Sequence, residues 1–232
     1  MELCNEIVIR GLLERHGFRF SRSMGQNFLI DPSIPAAIAE ASGADEGCGV
    51  LEIGPGIGPL TAELAKRAGK VVSIELDRAL RPVLAETVGD LPNVEIVPGD
   101  ALRLDLERLI AEKFQGLTPM VCANLPYNIT TPVLTKLAGI PSLTALTVLI
   151  QKEAAQRFTA PQGSPEIGAF PLQLQYRMET ELLFDVPASC FIPQPKVTSA
   201  VVCLRTRPAP ADIRDEALFF RTVRASFAQR RK

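Results

Sequence analysis

The sequence predicts an α/β domain with a doubly wound, mostly parallel sheet, and three observations lead to this prediction. Strand-like apolar runs alternate with amphipathic helical segments from about residue 48 to residue 158, which is the pattern of βαβ units. A Gly-rich turn, "GPGIG", follows the first of these strands directly and precedes a helix. Two further strand-like segments flank the Pro-rich bend "FIPQPKV" late in the chain, and we expect them to form an antiparallel pair that closes the sheet.

Composition allows one such domain and excludes several other classes. The chain has 232 residues, of which 47% are hydrophobic, enough for a substantial core. Five scattered cysteines and one histidine form neither a disulfide framework nor a zinc cluster, so we expect no metal site and reduced thiols in a cytoplasmic protein. We find neither an apolar run of ~20 residues nor a signal peptide, and expect no membrane association. The cysteines are Cys4, Cys48, Cys122, Cys190 and Cys203.

The first half of the chain contains the following elements. Residues 2–16 have helical spacing, "SRSMGQNFLIDPS" is loop-like, and Asp31-Pro32-Ser33 opens a helix that continues to about residue 41 because Pro favours the first turn. The next segment predicts strand, Gly-rich turn, helix and strand, in "GVLEIGPGIGPLTAELAKRAGKVVSIELD". A helix and a strand with its turn follow, in "RALRPVLAETVG" and "NVEIVPGDAL".

The second half continues the alternation and then changes character. Helix, strand, helix, strand and helix are predicted in "LERLIAEKF", "PMVCAN", "TTPVLTKLAG", "LTALTVLIQ" and "KEAAQRFTA". The antiparallel strands are "ETELLFDVP" and "TSAVVCLRTRP". A composition change after Pro208-Ala209-Pro210 marks a linker, so we assign residues 1–207 to the α/β domain with its N-terminal extension. Residues 208–232 are then the linker and one basic amphipathic helix over 213–232, the start of a second, helical domain.

The charge distribution is neutral overall and basic at both ends. A net charge of −1 argues against wholesale coating of nucleic acid. Arg10, Arg15, Arg19 and Arg22 cluster near the start, and the chain closes on "FAQRRK". Such ends suit contact with a phosphate backbone, although solvated helix ends explain them equally well.

Glycines and acids are predicted to meet at one edge of the sheet. Gly54 and Gly56 let the backbone turn tightly and approach a ligand at a helix N-terminus. Glu75 ends the second strand, where a carboxylate accepts hydrogen bonds from a ribose diol, and Asp100 follows the third. Ligands of open α/β sheets bind at these carboxyl ends. NAD, FAD and S-adenosylmethionine sites all use such a turn, but the acidic Glu75 disfavours a cofactor with a 2′-phosphate.

The stretch "NLPYNI" suggests what the neighbouring strand end does. Asn and Pro suit a turn, but turn geometry alone leaves the amide and the aromatic ring unexplained. An exocyclic amine of a nucleobase is a poor nucleophile because its lone pair is delocalised into the ring. Its two N–H groups can donate to the Asn124 side-chain oxygen and to a backbone carbonyl, that of Leu125, held inwards by Pro126. Tyr127 can stack on the base.

The order of six motifs resembles that of the ribosomal RNA adenine dimethyltransferases. These motifs are "SMGQNFLID", "LEIGPGIG", "IELD", "GDAL", "NLPYNI" and "FIPQPKVTSAVV". The resemblance spans residues 7–232, and Leu125 in "NLPY" is typical of the bacterial enzymes acting on 16S rRNA, whereas the erythromycin-resistance methylases of 23S rRNA usually carry Ile there. It implies a class I methyltransferase fold, in keeping with the late antiparallel strand pair.

The resemblance also implies roles for individual residues. S-adenosylmethionine would be the methyl donor, leaving S-adenosylhomocysteine, with Glu75 on the ribose, Asp100 on the adenine amino group and Asn124 between cofactor and target nitrogen. Phe191 matches an aromatic placed against the target base opposite Tyr127. The expected catalytic group is Asn124, Leu125, Pro126, Tyr127 and Phe191. The expected cofactor group is Gln26, Asn27, Leu29, Gly54, Gly56, Glu75, Asp100, Ala101 and Asn124.

The implied activity is N6,N6-dimethylation of two adjacent adenosines near the 3′ end of 16S rRNA, in the assembling small ribosomal subunit, by a monomer. Alternatives are a 23S rRNA adenine methylase of macrolide resistance and a non-catalytic RNA-binding assembly factor on the same scaffold. An NAD-dependent oxidoreductase leaves "NLPYNI" unexplained. Two departures from the family stand out: the chain stops where a helical C-terminal domain usually continues, and Ile167-Gly168 replaces a common Tyr-Gly pair.

Overall fold

A seven-stranded sheet organises the protein, and helices cover both of its faces. The computed structural model describes residues 1–18, 25–208 and 212–228. The described helices are α1 Glu6–Arg15, α2 Ser33–Ala41, α3 Pro59–Ala65, α4 Arg81–Thr87, α5 Leu106–Lys113, α6 Thr130–Leu137, α7 Lys152–Phe158, α8 Ala169–Arg177 and α9 Glu216–Ala228. The described strands are β1 Phe28–Leu29, β2 Cys48–Ile53, β3 Lys70–Glu75, β4 Val94–Pro98, β5 Thr118–Asn124, β6 Ala145–Gln151, β7 Met178–Val186, β8 Phe191–Ile192 and β9 Ser199–Thr206.

The strand order is β4-β3-β2-β5-β6-β9-β7. β2 pairs in parallel with β3 on one side and with β5 on the other, so the chain reverses its direction of progress across the sheet between these strands. β9 runs antiparallel to both β6 and β7. The predicted doubly wound fold with a late antiparallel pair is therefore confirmed, and the switch point of its topology lies between β2 and β5.

Burial explains why the central strands read as continuous apolar runs. Every residue of β2 is buried, because helices cover both faces of a parallel sheet. One large apolar cluster on one face includes Leu51, Val72 and Leu134, and a second on the other face includes Val50, Val71 and Ile38. The strand ends are consequently the part of this sheet where polar side chains reach a ligand.

The N-terminal helix α1 forms a third apolar cluster at the edge of the domain. Its buried residues Ile9, Leu12 and Leu13 pack with Phe28 and Ile57, among others. Asn5 caps this helix by accepting hydrogen bonds from two backbone N–H groups of its first turn. This packing holds the segment before β1 against the Gly-rich turn that follows β2.

Two parts of the fold were not expected from the sequence. One is α8, which begins after Ile167-Gly168 in a segment to which we assigned no helix or strand. The other is the two-stranded sheet in which β1 pairs with β8. Gln175 shows how α8 is held, since its amide donates to the carbonyls of Phe158 (3.0 Å) and Ala160 (2.8 Å). Both parts depend on contacts between segments distant in sequence.

The C-terminal helix α9 packs on α8. The Tyr176 ring lies 5.1 Å from that of Phe219 and 5.2 Å from that of Phe220, between centroids. We expected one helix over 213–232, and α9 is described over Glu216–Ala228. Residues 229–232, like residues 209–211 of the expected linker, lie outside the described residues. The domain boundary at residue 208 stays a prediction. None of the helices in the described ranges has the length and apolar character needed to cross a bilayer.

The Gly-rich turn generates a prediction about stability. Gly58 has φ 94° and a Cβ there would lie 2.7 Å from Val88 Cγ1, whereas Gly43 has φ 68° with nothing within 4 Å of such a Cβ. Gly43→Ala is expected to lower the free energy of unfolding by ~1 kcal/mol, the strain of a left-handed alanine. Gly58→Ala adds a steric clash and is expected to lower it by ~2–4 kcal/mol.

Urea unfolding of the two variants beside the unchanged chain measures this difference. Both positions have a positive φ, but only Gly58 adds a close contact, so equal losses of stability would contradict the steric argument at Gly58.

Candidate active site

A cavity of about 180 Å³ lies at the carboxyl ends of the central parallel strands. It opens at the switch point between β2 and β5, where the sequence predicted a ligand site. The predicted site residues that line it are Gln26, Asn27, Leu29, Gly54, Gly56, Glu75, Asp100, Ala101, Asn124, Leu125, Pro126 and Tyr127. The fold therefore brings five separate segments of the chain into one site.

The Gly-rich turn forms the floor of the cavity. Gly54 and Gly56 both have positive φ, 71° and 62°. A Cβ on Gly56 would lie 3.1 Å from the Phe28 ring, and one on Gly54 would lie 3.6 Å from Pro126 Cδ. Glycine thus serves two purposes here: it permits the left-handed conformation, and it lets the segments that bear Phe28 and Pro126 approach the backbone closely.

Glu75 ends β3 as a buried carboxylate with 5% of its surface exposed. Its Oε1 accepts the Asp77 backbone N–H at 2.7 Å, and backbone groups of Gly56 and Leu76 also bond to the carboxylate. Burial nevertheless raises the pKa of Glu75 to about 7, because desolvation outweighs these bonds. A carboxylate buried in this way is stabilised by ligand hydroxyls that donate to it.

Glu52 is a second buried carboxylate in the cavity wall, and our sequence interpretation missed it. It is 1% exposed, and its Oε2 accepts hydrogen bonds from Thr61 Oγ1 and Ser73 Oγ, each at 2.6 Å. Burial raises the pKa of this carboxyl to about 7. The available signal was a charged residue inside an otherwise apolar strand, "GVLEIG", which is rare without a partner or a function.

Leu76 also lines the cavity and was missed by the sequence interpretation. It follows Glu75 and is 53% exposed, although it belongs to a well-packed α/β domain. A large apolar side chain held open at the cavity wall offers a surface for a flat, apolar ligand face. Ala101 lines the same cavity from the loop after β4.

Asp100 lies just beyond β4, at the edge of the cavity. Its Oδ1 accepts the Leu102 backbone N–H at 2.9 Å, and its Oδ2 lies 3.5 Å from Arg103 Nε. The carboxylate is partly exposed, so a ligand amino group can donate to it. The loop is a tight turn, because the Asp100 carbonyl also accepts the N–H groups of Arg103 and Leu104, both at 2.9 Å.

Asn124 ends β5, and its amide is oriented by a residue far away in sequence. Its Nδ2 donates to the Asn27 carbonyl at 3.4 Å, and Asn27 Nδ2 donates to the Gly25 carbonyl at 3.2 Å. With the amide nitrogen directed to Asn27, the side-chain oxygen is the group that Asn124 presents as an acceptor. The segment before β1 therefore fixes the polar end of the "NLPYNI" loop.

The rest of that loop is held by the sheet. The Leu125 N–H donates to the Leu149 carbonyl of β6 at 3.1 Å, and the Leu125 side chain is buried. The Pro126 carbonyl accepts from Ile129 N (3.1 Å) and Thr130 Oγ1 (3.2 Å) at the start of α6. Because that carbonyl is occupied, Leu125 supplies the better candidate for a second acceptor.

Tyr127 is anchored through its hydroxyl, which lies 2.6 Å from Ser199 Oγ. Ser199 is fully buried at the start of β9, and burial raises the pKa of the Tyr127 phenol. The ring is thereby fixed beside the cavity while its hydroxyl stays protonated at neutral pH.

Phe191 requires a correction. We expected this ring to face the site opposite Tyr127, but it is 3% exposed and is absent from the residues that line the cavity. In β8 it pairs with Leu29 of β1 and packs in the second apolar cluster with Ile38 and Val201. Burial of the apolar ring under the small sheet is the physical reason.

The basic N-terminal cluster is only partly described. Arg10 pairs with Glu6 at 2.7 Å, and Arg15 pairs with Glu86 on α4, which also lies 2.6 Å from His16. Arg19 and Arg22 lie outside the described residues, as do residues 229–232. Over the ranges that are described, the chain has no group of three or more His, Cys, Asp or Glu side chains placed to hold a metal.

Comparison with known proteins identifies the family. The profile of the family described as "Ribosomal RNA adenine dimethylase" matches residues 17–232. The chain belongs to this family. The chain is 46% identical over 227 residues to the ribosomal RNA small subunit methyltransferase A of Geobacillus sp. strain WCH70, covering 96% of this chain and 78% of that protein. It is 48% identical to the protein of the same name from Shouchella clausii, covering 95% and 76%.

Solved structures agree with this assignment. The 23S rRNA methyltransferase ErmE is 30% identical, with a TM-score of 0.69 over 85% of this chain and 76% of that one. A dimethyladenosine transferase from Plasmodium falciparum is 26% identical, with a TM-score of 0.70 over 88% and 72%. The protein thus has a class I methyltransferase fold, and that class uses S-adenosylmethionine. The identity of the family confirms the resemblance inferred from the six motifs.

The raised pKa of the buried Glu52 carboxyl generates a prediction about how the stability of the protein depends on pH. The folded pKa of Glu52 is raised from 4.5 to about 7, so the stability associated with its protonated form is present below pH 4.5 and lost as pH rises through about 7. Such a shift corresponds to about 3 kcal/mol. Glu52→Gln keeps an acceptor for Thr61 and Ser73 and cannot ionise. It is expected to remove most of this fall in stability.

Urea unfolding at about pH 5 and about pH 8 measures the effect. Glu107→Gln, at an exposed position of α5, is the matched control. If the pH dependence of the Glu52→Gln variant parallels that of the unchanged chain, the desolvation argument fails.

Proposed function

We propose that this protein transfers methyl groups from S-adenosylmethionine to N6 of two adjacent adenosines near the 3′ end of 16S rRNA. The observation that carries the proposal is the oriented amide of Asn124, 3.4 Å from the Asn27 carbonyl, at the wall of the cavity. An acceptor oxygen fixed in this position suits an amine that must be held, rather than deprotonated, beside a methyl donor.

The residues present fit the cofactor. Its sulfonium supplies the electrophilic methyl group when bound. Gly54 and Gly56 leave space that a side chain would fill, and Asn27 and Leu29 border the same space for the methionine end. Glu75 accepts from the ribose hydroxyls, which relieves the cost of its burial. These assignments rest on donor and acceptor chemistry.

The adenine end of the cofactor lies between apolar and acidic groups in this proposal. Asp100 accepts from the 6-amino group through the oxygen that is not used by Leu102. Leu76 covers one part of the ring with its exposed side chain, and Ala101 lines the cavity next to Asp100. Gln26 supports this part of the site indirectly. Its Nε2 donates to Asp77 Oδ2 at 2.8 Å and so links the loop before β1 to the loop after β3.

Activation of the target amine requires two acceptors. The Asn124 side-chain oxygen takes one N–H and the Leu125 carbonyl takes the other, which draws the nitrogen towards a tetrahedral shape and frees its lone pair. Tyr127 stacks on the base, with its ring held through Ser199. N6-methyladenosine retains one N–H, so only one acceptor is fully used in the second transfer. Asn124 is expected to serve in both steps.

The choice of 16S over 23S rRNA rests on two observations. The relatives from Geobacillus and Shouchella are named small subunit methyltransferases, and Leu125 is the residue typical of that group. The similarity to ErmE keeps a 23S rRNA methylase as the second candidate. A role in ribosome assembly, a monomeric state and a cytoplasmic location follow from the first candidate as parts of the proposal. A non-catalytic assembly factor has no need for the full set of Asn27, Glu75, Asp100 and Asn124.

A methyl-transfer assay separates the candidate substrates. With labelled S-adenosylmethionine, we expect N6,N6-dimethyladenosine in unmethylated small subunits and little product in naked 23S rRNA. The reverse preference would replace the proposal by its alternative. Absence of product from both, together with tight S-adenosylhomocysteine binding, would favour the assembly factor.

Asn124→Ala tests the proposed chemistry. Removal of one fixed acceptor is expected to lower kcat for both methyl transfers on the order of 10²-fold, while affinity for S-adenosylhomocysteine changes little. The matched control is Asn93→Ala, whose amide donates to the Ala65 and Ala68 carbonyls away from the cavity. Single-turnover assays with nucleoside analysis report both steps. Dimethylation by the Asn124→Ala variant at the unchanged rate would refute the assignment.

A further inference from the structure

Lys136 lies outside the cavity lining but contacts the loop that bears Asp100. It is in the last turn of α6, and its Nζ donates to the carbonyls of Ala101 (3.1 Å), Leu102 (2.9 Å) and Leu104 (2.5 Å). An ammonium group has three N–H donors, so these carbonyls use its full capacity. This arrangement connects residues more than thirty positions apart in sequence.

The geometry of the loop shows why a cation is needed there. Inside the turn, the Asp100 carbonyl and Oδ1 accept N–H groups from Leu102, Arg103 and Leu104. Three other carbonyls of the same loop consequently point outwards and converge on one place. Converging carbonyl dipoles repel each other unless a donor lies between them, and a positive charge with three donors offsets this repulsion best.

The position of Lys136 also joins two parts of the site. α6 starts at Thr130, whose hydroxyl donates to the Pro126 carbonyl of the "NLPYNI" loop. The same helix ends near Lys136, which holds the loop after β4. One short helix therefore sets the distance between the segment assigned to the target adenosine and the segment assigned to the adenine of the cofactor.

We propose that Lys136 is a positioning residue: it holds the Ala101–Leu104 turn so that the Asp100 carboxylate meets the 6-amino group of the cofactor. This inference rests on the proposed function, in which S-adenosylmethionine binds with its adenine beside Asp100. Lys136 itself touches no ligand in this arrangement. Its effect is expected to be specific for the adenine amino group rather than for the cofactor as a whole.

Calorimetric titration with two ligands tests this specificity. One is S-adenosylhomocysteine, and the other is its purine analogue that lacks the 6-amino group. The unchanged chain is expected to prefer the first. Lys136→Met is expected to weaken S-adenosylhomocysteine binding by roughly 10-fold, as for a lost hydrogen bond to a charged group, and to leave the affinity for the analogue within about 2-fold.

Three further variants sharpen the test. Asp100→Ala is expected to remove the same preference, and the double variant with Lys136→Met is expected to show no additional loss, because both changes act on one contact. Lys136→Arg retains the charge and several donors and is expected to restore part of the preference. Lys66→Met is the control, since Lys66 pairs with Glu63 on the exposed side of α3.

The outcomes separate this inference from the proposed function. Equal weakening of both ligands by Lys136→Met, or unchanged affinity for S-adenosylhomocysteine, would overturn the positioning role while the function stands. Failure of the unchanged chain to bind either ligand would instead remove the proposed function. Thermal unfolding accompanies each titration. If Lys136→Met does not fold, Lys136→Gln, which keeps one amide donor group, is expected to show an intermediate loss of preference, and full preference in that variant would overturn the inference.

Discussion

The parallel pairing of β2 with β3 and with β5 is the constraint on which the site depends. Since strands in one parallel set end at the same edge, this pairing brings the Gly-rich turn after β2, Glu75 at the end of β3 and Asn124 at the end of β5 to one place. The reversal of strand order between β2 and β5 leaves a gap in the helical cover there. Position in the sheet, more than any single motif, makes these residues a site.

Much of this arrangement was predictable because its signals are local. The apolar runs, the Gly-rich turn and the acids Glu75 and Asp100 are each recognisable within a short stretch of sequence. The rule that the ends of parallel strands converge then predicts that they lie close together in space. The β1–β8 pair was not predictable in this way, because it joins Phe28 to Ile192 across most of the chain. The sequence did not predict α8, because the hydrogen bonds from the Gln175 amide to the carbonyls of Phe158 and Ala160 leave no periodic pattern in the sequence.

The individual site residues divide in the same way, into those with a local signal in the sequence and those whose position depends on long-range contacts. Glu75, Asp100 and Asn124 end or follow strands, where polarity suggests function, and the structure places them in the cavity wall. Phe191 was interpreted from a motif, but the register of β8 with β1 turns its ring into the core. Lys136 was not singled out from the sequence, where it is one lysine in a helical segment. Only the folded loop shows that three carbonyls meet at its ammonium group.

In the proposed function, methyl transfer to a weakly basic amine proceeds without a general base. The ionisable side chains among the described lining residues are Glu52, Glu75, Asp100 and Tyr127. Glu52 and Glu75 are committed to buried hydrogen bonds, Asp100 accepts the Leu102 N–H and is assigned to the cofactor, and the raised pKa of Tyr127 keeps its phenol neutral. Asn124 has no proton to accept or release near neutral pH. Because an exocyclic amine becomes strongly acidic once alkylated, its proton leaves readily to water, and the protein needs only to hold the nitrogen in the reactive orientation.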